Sequence, residues 1–367
     1  MFKKWFVGVV TAALICGAST VQAMVWKPNP VQIAAWRVSA EQGNAKAQFN
    51  LGWCYYRGEG VEKDFAQAVY WYRKAAEQGN PKAQTCLGIC YFKGEGVKKD
   101  EKQMLYWYRK AAEQGESWAQ LNYGVCFWLG SGVKKDHVEA VKWFRRSADH
   151  KNAAAQGCLG FAYMLGSGVE EDPAEAVRLL RESAAGGYSK SQGSLGVCYN
   201  LGYGVEKDRK KAAECFRKLA DEGVKEAQCR LADHYLFGWG VEKATVKAVE
   251  LLRKSAAQGY STAEFDLGWC YEFGWGVKKD LERAAMWYGR AADNDADKDV
   301  IPAAAMARRR RIAEFAMARV AFKLGDGYEN GSDGREKNVE AAVGYYHYAA
   351  ALGYEPAKEA LKRLGYY

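Results

Sequence analysis

The chain reads as all-α, an α-solenoid of seven to eight helix-turn-helix repeats, and three observations predict it. A loop of the form G-x-G-V-x-x-D begins at Gly58 and returns at a fixed step of 36 residues, at Gly94, Gly130, Gly166, Gly202, Gly238 and Gly274. Apolar and small residues on both sides of each loop recur at spacings of three and four, the signature of helix faces rather than strands. A further glycine, such as Gly79, closes the second segment of each copy. A repeat this long is one supersecondary unit that cannot bury its own apolar face, so the copies must stack.

Within one copy, Ala47, Leu51, Gly52 and Tyr55 lie on one face of a first helix. The two loop glycines allow the backbone a tight reversal. Asp64 then stands where an N-cap would accept the free N–H groups of a second helix. Pro173, directly after Asp172, suits the first position of such a helix. The second helix carries Ala68, Trp71, Ala75 and Ala76, with Gly79 ending it. The copy is therefore an antiparallel helix pair.

The pattern A-x-x-x-L-G-x-x-Y-x-x-G-x-G-V-x-x-D-x-x-x-A-x-x-W-x-x-x-A-A-x-x-G resembles the Sel-1-like repeat family, relatives of the tetratricopeptide repeats, over roughly residues 44–295. The resemblance implies a right-handed superhelix that serves as a protein-binding scaffold. Four positions depart from it: Ala232 replaces the first-helix glycine, Ala244 the capping aspartate, and Lys151 and Asp295 the closing glycine.

The ends of the chain differ from the repeats. Lys3 and Lys4 precede an apolar run, and Val21, Gln22 and Ala23 form a small-residue cleavage site, so residues 1–23 read as a secretory signal peptide too short to span a membrane. Residues 24–43 match a lone second helix through Ala34, Ala35, Trp36, Ala40 and Gly43 and read as an N-terminal capping half-repeat. Seven repeats follow over residues 44–292. Residues 293–367 read as a divergent eighth repeat: an acidic linker, a helix opened by Pro302 and ending at Gly325 and Gly327, an insertion over residues 328–335, and a capping helix over residues 355–364. The expected location is periplasmic or secreted, after cleavage near Ala23.

Little here carries chemistry. Removal of the leader lowers the formal charge from +9 to +7, spread over all repeats, so nucleic acid is not an expected partner. The histidines His137, His150, His234 and His347 lack ligand spacing, and neither metal nor cofactor is expected. Asp293, Asp295 and Asp297 imitate a calcium loop, but Lys298 and Ala304 stand where its glycine and bidentate glutamate belong. Arg308 to Arg311 read as a solvated helix face. Nine cysteines remain after leader removal; Cys54 with Cys86 and Cys126 with Cys158 share a spacing of 32 residues. Neighbouring first helices permit a bridge at each pair without requiring one, and a small buried thiol serves the core equally well. Cysteine-rich members of the family carry regular disulfides, but this chain lacks their extra cysteine at the end of each second helix.

The alternative activity is a secreted hydrolase of the β-lactamase or penicillin-binding kind, since Ser131 and Lys134 form an S-x-x-K match. Other copies place Glu59, Glu95, Ser167, Tyr203, Trp239 and Trp275 in the serine column, so the match reads as a loop accident.

The informative anomaly lies opposite the core face of the first helices. There an amphipathic helix should be polar, yet the columns hold Phe49, Trp53 and Tyr56, then Ile89 and Phe92, then Leu121, Val125 and Trp128, then Phe161 and Met164. In a solenoid these positions line the concave side, and a continuous apolar groove there marks an interaction surface. The competing explanation is burial against adjacent first helices. The expectation is an exported, non-catalytic adaptor holding a protein or peptide in that groove, with no membrane span in the mature chain and an open oligomeric state.

Overall fold

The structure, a computed structural model, describes residues 28–294 and 303–366. The expected leader, the acidic run at residues 295–299 and Pro302 lie outside them. Among the described residues there are eighteen helices and no strands. They are α1 (Pro30–Glu41), α2 (Ala45–Arg57), α3 (Phe65–Glu77), α4 (Pro81–Lys93), α5 (Glu101–Glu113), α6 (Ser117–Leu129), α7 (His137–Asp149), α8 (Ala153–Leu165) and α9 (Pro173–Ala185). These are followed by α10 (Lys190–Leu201), α11 (Arg209–Asp221), α12 (Lys225–Phe237), α13 (Thr245–Ala257), α14 (Ser261–Phe273), α15 (Leu281–Asp293), α16 (Ala303–Asn330), α17 (Val339–Ala351) and α18 (Glu355–Leu364). Consecutive helices pack on one another from α1 to α9 and again from α11 to α18, as stacked hairpins require. The chain divides within α10 into two compact units. The first ends at Ser194 and includes Tyr203–Val205; the second comprises Leu195–Gly202 and everything from Glu206 onward.

Two glycine contacts set the hairpin geometry. Inside most hairpins, the first-helix glycine lets a ring of the second helix lie directly against the backbone; against Gly160 the side chain is Leu180. A Cβ on Gly52 would stand 2.8 Å from the Tyr72 ring, and one on Gly88 2.6 Å from that of Tyr108. The exception at Ala232 is compensated, because its hairpin carries Leu252 where Tyr72 and Tyr108 stand in theirs. Between hairpins, the second loop glycine seats the loop on the start of the preceding second helix. At Gly96, a Cβ would lie 2.1 Å from the Phe65 carbonyl oxygen, and the residue also holds φ at +71°.

Polar ties repeat at the same pitch. The Gln78 amide donates to Gln48 Oε1 at 2.7 Å, and Gln114 to Gln84 Oε1 at 2.8 Å. Gln48 Nε2 in turn donates to the Ala40 carbonyl at 3.0 Å. Such bonds satisfy amides that would otherwise be costly to bury.

The caps follow the sequence. Asp64 accepts from Ala66 N and Gln67 N, and Asp100 from Lys102 N and Gln103 N. Ala244 gives α13 no side-chain cap, and neither Val224 before α12 nor Tyr260 before α14 supplies one. Lys151 takes over from the closing glycine at φ +56°.

The eighth copy differs from expectation. Gly325 and Gly327 are helical, and α16 runs on to Asn330. Gly325 is the hairpin-contact glycine, its Cβ position 2.6 Å from the Tyr346 ring. The loop glycine is Gly331 at φ +68°, and Asn338 caps α17 through Ala341 N. The true insertion is thus one residue between Gly331 and Asn338, against the step from Gly58 to Asp64. Buried Glu272 on α14 draws α16 onto the stack: Arg319 and Lys323 each reach it at 2.7 Å, and the Tyr288 hydroxyl donates at 2.9 Å. Burial works against its charge, but the bonds from Lys323, Tyr288 and Arg319 hold its carboxyl below the usual range.

Gly79 and Gly96 separate strain from collision. Nothing lies within 4 Å of a Cβ on Gly79, whose φ is +89°. We expect Gly79→Ala to cost about 1–2 kcal/mol, the price of a left-handed L-residue. Gly96→Ala should cost about twice that or more, because the loop must also lift from the Phe65 carbonyl. Equal losses in urea titrations of the two variants would refute the seating contact.

Candidate protein-binding face

The ten groove residues all fall in the first unit, and stacking disposes of most of them. Ile89, Leu121, Val125, Trp128, Phe161 and Met164 are buried. Leu121, Val125, Trp128 and Phe161 share one core cluster with Ala155 and Cys158, while Ile89 joins Tyr108 and Cys126 in another. Trp128 also stacks on the His137 ring at 4.3 Å. The expected continuous exposed groove is therefore closed at these six positions by the molecule's own side chains, from first and second helices alike.

Four residues stay half-buried: Phe49, Trp53, Tyr56 and Phe92. Among the described residues the first repeat has no first helix before it, which leaves its rings partly uncovered. Trp53 and Tyr56 stack with centroids 6.4 Å apart, and Phe49 and Tyr56 lie 6.0 and 6.3 Å from the buried Tyr72 ring. The Arg57 guanidinium sits 5.8 Å over Trp53, and Lys93 5.8 Å over Tyr56. Tyr56 donates its hydroxyl to Glu95 at 2.6 Å and accepts from Lys93 at 3.1 Å. The result is a small aromatic patch of fixed geometry with cations over its rings.

All nine cysteines among the described residues are free thiols. Neither spacing-derived pair is joined: Cys54 belongs to the cluster around Leu51 and Trp71, Cys86 to that around Tyr72 and Leu87, and Cys126 and Cys158 are likewise in separate clusters. Burial pushes the Cys54 thiol up to about 11 and those of Cys86, Cys126 and Cys158 up to about 12. They are packing atoms with little thiolate character. Ser131 occupies a helix-ending turn, its backbone N–H donating to the Cys126 carbonyl at 3.0 Å as that of Glu59 does to Cys54. Its place is explained by the turn, with no need of a nucleophile.

The second unit contains a surface that the sequence reading passed over. Phe237, Trp239, Trp269, Phe273 and Trp275 form one aromatic cluster. Phe237 stacks on Trp239 at 4.8 Å and meets Trp275 edge-on at 5.8 Å; Trp269 lies 5.0 Å from Trp275 and 5.9 Å from Phe273. Phe237 is 37% and Phe273 47% exposed. The signal was present in the loop column, where Trp239 and Trp275 replace glutamate and serine.

On the same two first helices, Asp233 and Asp266 are held in an unfavourable setting. Cys229 Sγ lies 3.4 Å from Asp266 Oδ2, and Arg230 lies 3.8 Å from Asp233. Desolvation, and for Asp266 also the charge of Asp233, raises both carboxyls toward neutrality, while Arg230 opposes the shift.

The profile of the Sel1 repeat matches eight times, at residues 45–80, 81–116, 119–152, 153–188, 189–224, 225–260, 261–295 and 316–354. The protective antigen c5321 of uropathogenic Escherichia coli, which displays an SLR fold, is similar at 36% identity and a TM-score of 0.69, over 90% of this chain and 67% of its own. A Sel1 repeat protein from Oxalobacter formigenes is similar at 33% identity and a TM-score of 0.60, over 68% of this chain and 96% of its own. No curated protein matches in sequence. No helix among the described residues is long and apolar enough to cross a membrane.

The aspartates make a pH prediction with a definite sign. A carboxyl whose folded pKa is raised binds its proton more tightly in the folded state, so stability falls as pH rises from the ordinary carboxylate range to neutrality. Asp266→Asn removes that penalty. Its melting temperature should exceed the parent's at pH 8, and the gap should close by about pH 4. A gap independent of pH would show that Asp266 is not held in this way.

Proposed function

The chain belongs to the Sel1 repeat family, whose members generally mediate protein–protein contacts, and from that premise we propose that it is an exported, non-catalytic scaffold that holds a polypeptide partner. The observation that carries the reading is the half-buried patch of Phe49, Trp53 and Tyr56 at the start of the first unit, with Phe92 in the next repeat. Aromatic side chains dominate interface hot spots because they bury much area at low entropic cost. Here they are already positioned: Tyr56 is fixed by Glu95 and Lys93, and the rings are braced against Tyr72. Little ordering remains to be done on binding. Solenoid scaffolds of this kind are typically non-catalytic. Export is supported by the charged, apolar and small-residue order of residues 1–23.

Two measurements test this reading. Affinity capture with the parent chain and with Trp53→Ala, from the envelope fraction of the source cell, should recover a partner with the parent and lose it with the variant, the two melting within a few degrees of each other. Retention of the partner by Trp53→Ala would place the binding elsewhere. Mass spectrometry of the chain recovered from that cell should find Met24 at its amino terminus; an intact Met1 would end the export proposal.

A further inference from the structure

We propose that the cluster of Phe237, Trp239, Trp269, Phe273 and Trp275 is a second docking surface, whose occupant is an acidic peptide segment carrying aromatic or aliphatic side chains. The inference rests on the scaffold reading and adds a site in the other unit, with a stated ligand chemistry.

The repeats supply an internal control. Phe237 and Phe273 are the last residues of their first helices, where the first two repeats place Arg57 and Lys93. Trp239 and Trp275 occupy the loop position that holds Glu59, Glu95, Ser131 and Ser167 in the first four. The same hairpin thus forms with charged or hydroxyl side chains at four of the five positions, so folding does not demand aromatics there. Phe237 and Phe273 are exposed, and Trp239 and Trp275 half-buried, so these positions reach solvent. Contiguous apolar rings at positions the fold leaves free mark an interaction surface.

Charge selects the partner. The Arg209 guanidinium lies 4.8 Å over the Trp239 ring, and the ammonium groups of Lys243 and Lys323 lie 5.5 Å over Trp275 and Phe273. Lys323 is spent on Glu272, but Arg209 and Lys243 are exposed and have no carboxylate partner among the described residues. Lys278 and Lys279 add to the same loop pair, Lys279 being bridged to Asp333 at 3.4 Å. Four carboxylates on the first helices are engaged inside the unit: Glu272 with Arg319 and Lys323, Asp233 with Arg230, Asp266 with Cys229 and Glu264 with Asn294. An acidic segment would meet two uncompensated cations beside the rings. The cations also stand over the ring faces on which a sugar would stack, which disfavours a glycan.

The test is fluorescence anisotropy with the full chain and labelled synthetic peptides. One probe alternates glutamate with phenylalanine and leucine, and its twin carries lysine for glutamate. A neutral oligosaccharide and anionic-lipid vesicles serve as competing ligands. The acidic probe should bind the parent. Phe273→Ser and Lys243→Glu, both at exposed positions, should each weaken it about tenfold or more, the scale of a hot-spot loss. Their circular dichroism and melting should match the parent's, and Trp53→Ala should leave the affinity unchanged. Equal binding of the lysine twin, preference for the oligosaccharide or the vesicles, or indifference to Phe273→Ser and Lys243→Glu would overturn the proposal. If acidic-probe binding responds to Trp53→Ala alone, this site fails while the scaffold reading stands. If the acidic probe does not bind the parent at all, this site also fails, and the capture experiment judges the scaffold separately.

Discussion

Everything in this molecule depends on how closely one backbone can approach another. At Gly96 the loop backbone touches the carbonyl at the start of the preceding second helix, with no room for a single carbon atom between them. Equivalent seats occur at Gly168 on His137, Gly204 on Pro173, Gly240 on Arg209 and Gly276 on Thr245. The contact fixes spacing and register from one hairpin to the next. The ring packed against the first-helix glycine does the same inside the hairpin. With both distances fixed, side chains fill the remaining space.

That closeness explains the fate of the groove. Apolar residues opposite the core face would be exposed on first helices standing apart. At the spacing the glycine seats impose, neighbouring first and second helices bury them, and Leu121, Val125 and Phe161 become interior residues. A helix apolar on all sides is a buried helix. Phe49, Trp53 and Tyr56, where the described stack begins, and Phe92 in the next repeat keep part of their surface accessible.

The fold was legible because the repeat announces it: glycine, aspartate and alanine columns carry direct physical meanings, and each copy confirms the others. Departures were legible too, since Ala244 leaves its helix uncapped and Lys151 takes a glycine's conformation. The eighth copy was misread because Gly325 and Gly327 imitate the loop spacing, whereas the ring of Tyr346 against Gly325 reveals the register. The candidate face was only partly legible. Periodicity assigns a residue to a side of its helix, but whether that side meets solvent or a neighbour depends on distances between helices. The aromatic cluster escaped notice because its rings come from three different columns, a mid-helix position, a helix end and a loop, which meet only in three dimensions.

The missing caps have a consequence for motion. Helices α12, α13 and α14 begin in succession without a side-chain acceptor for their free N–H groups, each omission forgoing about 0.5–2 kcal/mol. In an array stabilised by nearest neighbours, such deficits are felt locally rather than shared across the chain. The repeats bearing Trp239, Trp269 and Trp275 therefore hold three helix starts less firmly than those of α11 and α15, which Asp208 and Asp280 cap. Their tryptophans are mounted on a segment able to breathe, which gives that surface latitude to adjust its shape around whatever settles on it.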